Sequence, residues 1–140
     1  MSTDSCDSCD ITTLFHQYAD YLDSGELEFV AAIFADAKIT GVTVDGDESV
    51  MEGQDAVLAM YQNFTRIYAD SGSPHSLHVT TNVIVDIDES GSSASFKSYA
   101  VVFQAVDGLL LQPIMGFDIS MLLPKLINIG VLVRERPYRS

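Results

Sequence analysis

Tryptophan is missing from this 140-residue chain, cysteine occurs only twice, and Lys and Arg together number seven. Each shortage removes a class of protein. Two cysteines cannot build the disulfide framework of a small secreted domain. Seven basic residues against 20 acidic ones leave a formal charge of −13, a field that repels phosphate backbones and makes nucleic acid an unsuitable partner. Apolar runs such as Val83–Val85 and Gly108–Leu111 fall far short of the roughly 20 residues of a membrane-spanning helix, so no membrane is expected as a partner. The segment Met1–Asp10 is polar and acidic, without the basic start or apolar stretch of a secretory signal. The expected location is the cytoplasm. No glycine-rich phosphate loop or dinucleotide fingerprint occurs, and no cofactor is expected.

The two cysteines, Cys6 and Cys9, have the gap of a zinc knuckle or a redox pair. A structural zinc needs four ligands, and only His16 lies near enough to suggest a third. The neighbouring carboxylates also disfavour a thiolate. Residues 1–9 therefore read as a flexible leader, and no metal is expected. What is plentiful is apolar: 47% of the chain is hydrophobic, with seven Phe and six Tyr, enough for the core of one domain over residues 10–140.

Asp10 is placed to cap a helix with Ile11, Leu14, Phe15, Tyr18, Ala19 and Leu22 on one stripe. Asp23-Ser-Gly25 breaks it, and Asp23 with Glu26 has the form of a capping box for a second short helix. A hairpin follows, Lys38–Val44 and Glu48–Met51 around Asp45-Gly46. The segment Gln54–Ala69 reads as a third helix, stopped by Ser71-Gly-Ser-Pro74. Three long strands are predicted at Ser76–Asp88, Ala94–Val106 and Leu109–Met121, with a final hairpin returning through Leu126–Arg136. Helices first and strands last predict an α+β domain. Its antiparallel strands would curve, with the helices packed across the concave face to leave a small, mostly apolar pocket.

Several segments together resemble a known family. Tyr18-Ala-Asp-Tyr-Leu-Asp23-Ser-Gly-Glu26, Phe34-Ala-Asp36, Gly53-Gln-Asp-Ala56 and His78-Val-Thr-Thr-Asn82 are similar in order and spacing to the SnoaL-like branch of the nuclear transport factor 2-like superfamily. The resemblance covers about residues 10–136. It implies a cone of N-terminal helices on a strongly curved mixed or antiparallel sheet, and a homodimer or homotrimer. Active members include scytalone dehydratase, bile acid 7α-dehydratase and hexachlorocyclohexane dehydrochlorinase, while dioxygenase β subunits share the fold without catalysis. In the active members an Asp at the end of the first helix orients a His on the first long strand, and the His takes a proton from carbon. By motif these fall on Asp23 and His78. The chain departs from the pattern at Leu22, where the scytalone enzyme has Tyr, and in having no second histidine on the next strands. It also has Tyr18 and Ser76 where the dehydrochlorinase has Lys and Cys. The Gly-x-Trp of the family's last hairpin is missing.

Read as residues, these positions keep two meanings each. His78 shares a strand face with Thr80, Asn82, Ile84 and Asp86, opposite Leu77, Val79, Thr81, Val83 and Val85, the apolar set expected to face packed material. An imidazole suits proton transfer near neutrality, yet a lone strand histidine is commonly structural. Asp23 either caps the second helix alone or also pairs with His78. Tyr18, Tyr21, Tyr61, Tyr68 and Tyr99 are core aromatics or pocket lining, with Tyr18 and Tyr99 the candidates to steady charge on a substrate oxygen. Asn82 serves a ligand or a strand edge. The expected function is a cofactor-free lyase, such as a dehydratase, or an isomerase acting on a small, largely apolar cyclic metabolite. The alternative is a non-catalytic binding or assembly domain. Phe117, Ile119 and Met121 are expected on an exposed sheet face suited to a subunit partner.

Overall fold

A computed structural model describes residues 7–42, 48–124 and 130–134. Its first helix, α1 (Asp7–Ser24), starts three residues before the expected cap, inside the segment read as a leader. Asp7 and Asp10 both lie in its first turn, where carboxylates complement the helix dipole. The apolar stripe is realised, with Phe15 and Leu22 buried and Ile11 and Tyr18 packed against the core. The helix closes on Gly25, whose φ of 77° is left-handed. Gly25 N–H donates to the Leu22 carbonyl at 3.1 Å and Glu26 N–H to the Tyr21 carbonyl at 2.9 Å, the paired bonds of a Schellman end. A Cβ at Gly25 would collide with the Gly72 carbonyl oxygen, so glycine also lets a distant loop lie against this helix end.

The second helix, α2 (Leu27–Ile33), turns Leu27, Val30 and Ala31 inward. Its N-cap is Glu26 and no side chain caps it, so the expected capping box does not form. The β1 strand (Lys38–Val42) pairs antiparallel with β2 (Glu48–Glu52); the Asp45-Gly46 turn lies outside the described residues. Helix α3 (Gln54–Phe64) ends five residues before the sequence reading placed its end. Thr65 is already extended, with φ −105° and ψ 112°, a conformation that β-branched residues favour. The next aromatic, Tyr68, stacks on His75 instead of continuing the helical stripe.

Three long strands follow: β3 (Ser76–Ile87), β4 (Ser93–Val106) and β5 (Leu109–Pro124), close to their predicted limits. A short β6 (Gly130–Arg134) completes a six-stranded sheet of order β2-β1-β6-β5-β4-β3. All its pairs are antiparallel except β1 with β6. The protein is thus α+β, with an open mixed sheet. On β4 the residues Ala94, Phe96, Ser98, Ala100 and Val102 are buried on one face. The Phe96 ring lies parallel to that of Phe15 at 3.7 Å between centroids, which clamps α1 to the sheet. Burying a phenylalanine of this kind contributes about 1.5–3 kcal/mol.

Strand β3 does not keep one alternation along its length. Thr81 stands opposite Tyr99, but the next pair is Ile84 with Lys97, so β3 carries one extra residue there. Asn82 takes a left-handed φ of 55°, which asparagine tolerates better than most residues. The bulge reverses which side chains face inward. Leu77 and Val79, expected against packed material, are exposed on the outer face, while Val83 and Val85 pack against the core. Ile119, expected on an exposed face, is buried, because it pairs with the inward-facing Ser98.

Candidate active site

Three elements meet where α1 ends. The last turn of α1 presents Asp23, and β3 enters the sheet directly beside it. A loop of residues 65–75 delivers the chain into β3. That loop closes on itself through Tyr68 N–H to Ser73 carbonyl at 2.9 Å and Gly72 N–H to Tyr68 carbonyl at 2.8 Å. The Tyr68 and His75 rings stack at 4.1 Å, and the Arg66 guanidinium lies 4.5 Å from the Tyr68 centroid. His75, with a φ of 56°, then turns the chain into Ser76.

Asp23 is committed entirely to β3. Its Oδ1 accepts from the Ser76 hydroxyl at 2.8 Å and lies 2.6 Å from His78 Nδ1. Its Oδ2 accepts the backbone N–H of His78 at 2.8 Å. Burial would raise this carboxyl's pKa, but the ring bond, the backbone bond and the Ser76 bond outweigh that, and it is held below the usual carboxylate value. An ionised carboxylate can only accept, so Nδ1 carries the proton and Nε2 of the neutral ring keeps a bare lone pair. Among the described residues Nε2 has no hydrogen-bond partner, and it is not one of the sealed polar atoms. The two side chains are 15% and 18% exposed. Such partial burial strengthens the bond between them while leaving each side chain some exposed surface.

His78 stands opposite Val102, and Thr80 opposite Ala100. The imidazole therefore belongs to the inner face of the sheet, with the buried row of β4. Tyr18, five residues before Asp23, also faces the interior. Its hydroxyl is 2.8 Å from that of Tyr61 on α3, and its ring meets Phe15 and Phe34 edge-on. Burial raises the Tyr18 phenol above its ordinary value; the Tyr61 bond opposes this and the Asp23 charge adds to it.

The other expected residues are placed elsewhere. Tyr99 is opposite Thr81 and 54% exposed on the outer face, because it alternates with the buried Ser98 and Ala100. The structure does not bring it to His78. Asn82 is exposed and spent on the bulge. Tyr21 stacks on Phe29 at 5.2 Å, and Tyr68 belongs to the 65–75 loop. Cys9 is exposed on α1, and Cys6 lies outside the described residues. Sequence reasoning treated Ser76 only as a replaced cysteine and Tyr61 only as one of five aromatics. The signal for Ser76 was its place two residues before His78, on the same strand face.

The pattern of the SnoaL-like domain matches residues 3–121, and the chain belongs to that family. No curated protein matches it. Solved structures supply the fold. An NTF2-like protein with a cystatin-like fold from Novosphingobium aromaticivorans superposes with a TM-score of 0.68 at 17% identity, covering 91% of this chain and 81% of that one. A candidate scytalone dehydratase from the same organism gives 0.63 at 15%, covering 93% and 87%. The β subunit of a candidate aromatic-ring-hydroxylating dioxygenase, again from that organism, gives 0.63 at 12%, covering 94% and 92%. The last two show that this architecture accompanies both a candidate enzyme and an assembly subunit.

Proposed function

We propose that the protein is a cofactor-free lyase, a dehydratase in particular, or an isomerase, acting on a small, largely apolar cyclic metabolite. The observation that carries this reading is the 2.6 Å contact between His78 Nδ1 and Asp23 Oδ1, which leaves Nε2 as the base. His78 takes a proton from carbon, and Asp23 stabilises the imidazolium so formed. Tyr18 steadies the substrate oxygen on which charge gathers. In dehydration the imidazolium returns its proton to the departing hydroxyl, releasing water. In isomerisation it returns the proton to another carbon. A second copy of the chain covers the exposed Leu77, Val79 and Tyr99 of the outer face in this reading, as a homodimer or homotrimer.

One observation favours the alternative, a non-catalytic small-molecule-binding or assembly domain. Across the inner face from His78 stand Val102 and then Met115, so the neighbouring strands offer no second acid there. The test is exchange of substrate C–H with solvent deuterium, screened over small cyclic alcohols and enones with His78→Ala as control. Catalysis of this kind gives exchange that falls by roughly 10²–10⁴-fold in His78→Ala. Binding without exchange in either protein would replace the enzymatic reading with the alternative.

A further inference from the structure

Ser76 and His78 reach the same oxygen. The Ser76 hydroxyl donates to Asp23 Oδ1 at 2.8 Å and His78 Nδ1 lies 2.6 Å from that atom, whereas Oδ2 accepts the His78 backbone N–H. The two side chains stand two residues apart on one face of β3, with Oδ1 bonded to both. The strand does not depend on the hydroxyl bond for its place. Ser76 pairs with Gln104 on β4, the His75 carbonyl before it accepts the Ala105 N–H at 3.0 Å, and the Gln104 side chain donates to the Pro74 carbonyl at 3.1 Å. The start of β3 is thus fixed to β4, and the end of α1 is closed by its own Schellman bonds. What the hydroxyl acts on is the carboxylate.

We propose that Ser76 is a positioning residue that shares Asp23 Oδ1 with the imidazole and so limits how strongly the carboxylate holds the Nδ1 proton. Two donors on one oxygen divide its negative charge, and each bond is weaker than it would be alone. The Ser76 bond is also among those that hold the carboxyl below its ordinary value.

The consequence for catalysis rests on His78 being the base. Nε2 takes the proton from carbon with its lone pair, the C–H electron pair stays with the carbon framework, and the Nδ1 proton remains on its nitrogen throughout. An undivided charge on Oδ1 would favour the imidazolium and delay its return of the proton; the hydroxyl keeps take-up and return in balance. The elements packed most closely on β3 are α1 and β4. From α1 the charged group at the ring is Asp23, and Tyr18 is the other titratable side chain at that end packed against the core. From β4, Val102 stands opposite His78, while Lys97 is opposite Ile84, beyond the bulge. In the 65–75 loop His75 and Asp70 are bonded to each other.

NMR of the His78 ring reads the shared oxygen without any substrate. In Ser76→Ala the Nδ1–H proton moves downfield as its bond to Oδ1 strengthens, while the His78 backbone N–H, bonded to Oδ2, reports that Asp23 has stayed in place. Ser76→Thr keeps a hydroxyl and restores the wild-type resonance. Ser76→Cys, of serine's size with a weaker donor, gives an intermediate position and serves if threonine does not fit. An unchanged resonance in Ser76→Ala overturns the proposal. So does an upfield shift or loss of Nδ1–H, which would make Ser76 a prop for Asp23. The second arm is C–H exchange with deuterium over the cyclic enones. Ser76→Ala is slower than the wild type by about 2–10-fold at pH 6, the worth of one hydrogen bond, and equals or exceeds it at pH 9, where an ordinary imidazole is neutral. Equal slowing at both pH values overturns the proposal. A downfield shift with no exchange in the wild type would remove His78 as the base, and with it the catalytic part of the inference. Exchange in the wild type without the shift would keep the base and remove the role of Ser76.

Discussion

Replacing Asp23 by Asn tests the site most directly, because the two side chains have the same shape and differ in what they can accept. Asp23 takes three hydrogen bonds, from Ser76 Oγ, His78 N and His78 Nδ1. Asn supplies one oxygen and one NH₂. If its oxygen keeps the backbone N–H, the NH₂ faces the imidazole, and the ring relieves the clash by moving its proton from Nδ1 to Nε2. The Ser76 hydroxyl can rotate, and both side chains retain some solvent contact. The stability cost is therefore the exchange of charge-assisted bonds for neutral ones, about 2 kcal/mol. For a chain of this size that lowers Tm by roughly 5–8 °C. Under the proposed mechanism the chemical cost is larger, because the nitrogen that would take a proton from carbon already carries one. A loss of about 10²–10⁴ in C–H exchange is expected, equivalent to roughly 3–5 kcal/mol of barrier. Two-dimensional ¹⁵N–¹H NMR of the histidine ring reads the tautomer, with Nδ1–H in the wild type and Nε2–H in Asp23→Asn. A variant that keeps Nδ1–H and full exchange would refute the account of Asp23 as the group that sets the tautomer.

Further outcomes follow from other contacts. Because the Asp23 carboxyl is held below its ordinary 3.8, the wild type's stability advantage over Asp23→Asn is complete above that pH. It is lost as the pH falls through the lowered folded value, and urea unfolding at pH 6, 4 and 2.5 should show the gap closing only at the acid end. Gly25 and Gly108 have similar φ values, 77° and 81°, but a Cβ at Gly108 would meet nothing within 4 Å. Gly108→Ala therefore costs about 1–2 kcal/mol in chemical denaturation, while Gly25→Ala costs clearly more by displacing Gly72; equal costs would contradict the close approach. Ser98 is 2% exposed and its hydroxyl has no partner among the described residues. Ser98→Ala should leave stability unchanged or raise it by about 1 kcal/mol, and a marked loss would mean that the hydroxyl is satisfied.

Much of the architecture was legible because it depends on local pattern. The stripe Ile11, Phe15, Tyr18 and Leu22 needs only helical spacing, and the three long strands follow their predicted limits closely. What stayed illegible depends on partners distant in sequence. Asp23 followed by Glu26 is a sound capping pattern, yet three donors on β3, more than fifty residues away, outbid one helix terminus. The inward apolar set on β3 was misjudged because a bulge is an event of pairing, and Asn82 alone does not announce it. The same error of face applied to Tyr99, expected among the interior aromatics but exposed on the outer face. The pairing of Tyr18 with Tyr61 joins two helices and has no signature in either.

The extra residue at Asn82 divides the strand that bears His78 into two segments with opposite phase. Downstream, Val83 and Val85 answer to the packing of the hydrophobic interior. Upstream, His78 and Thr80 answer to whatever occupies the space before the sheet. Substitutions around His78 and Thr80 can therefore accumulate without disturbing the segment that anchors the domain, so one end of the strand can vary while its foundation stays fixed.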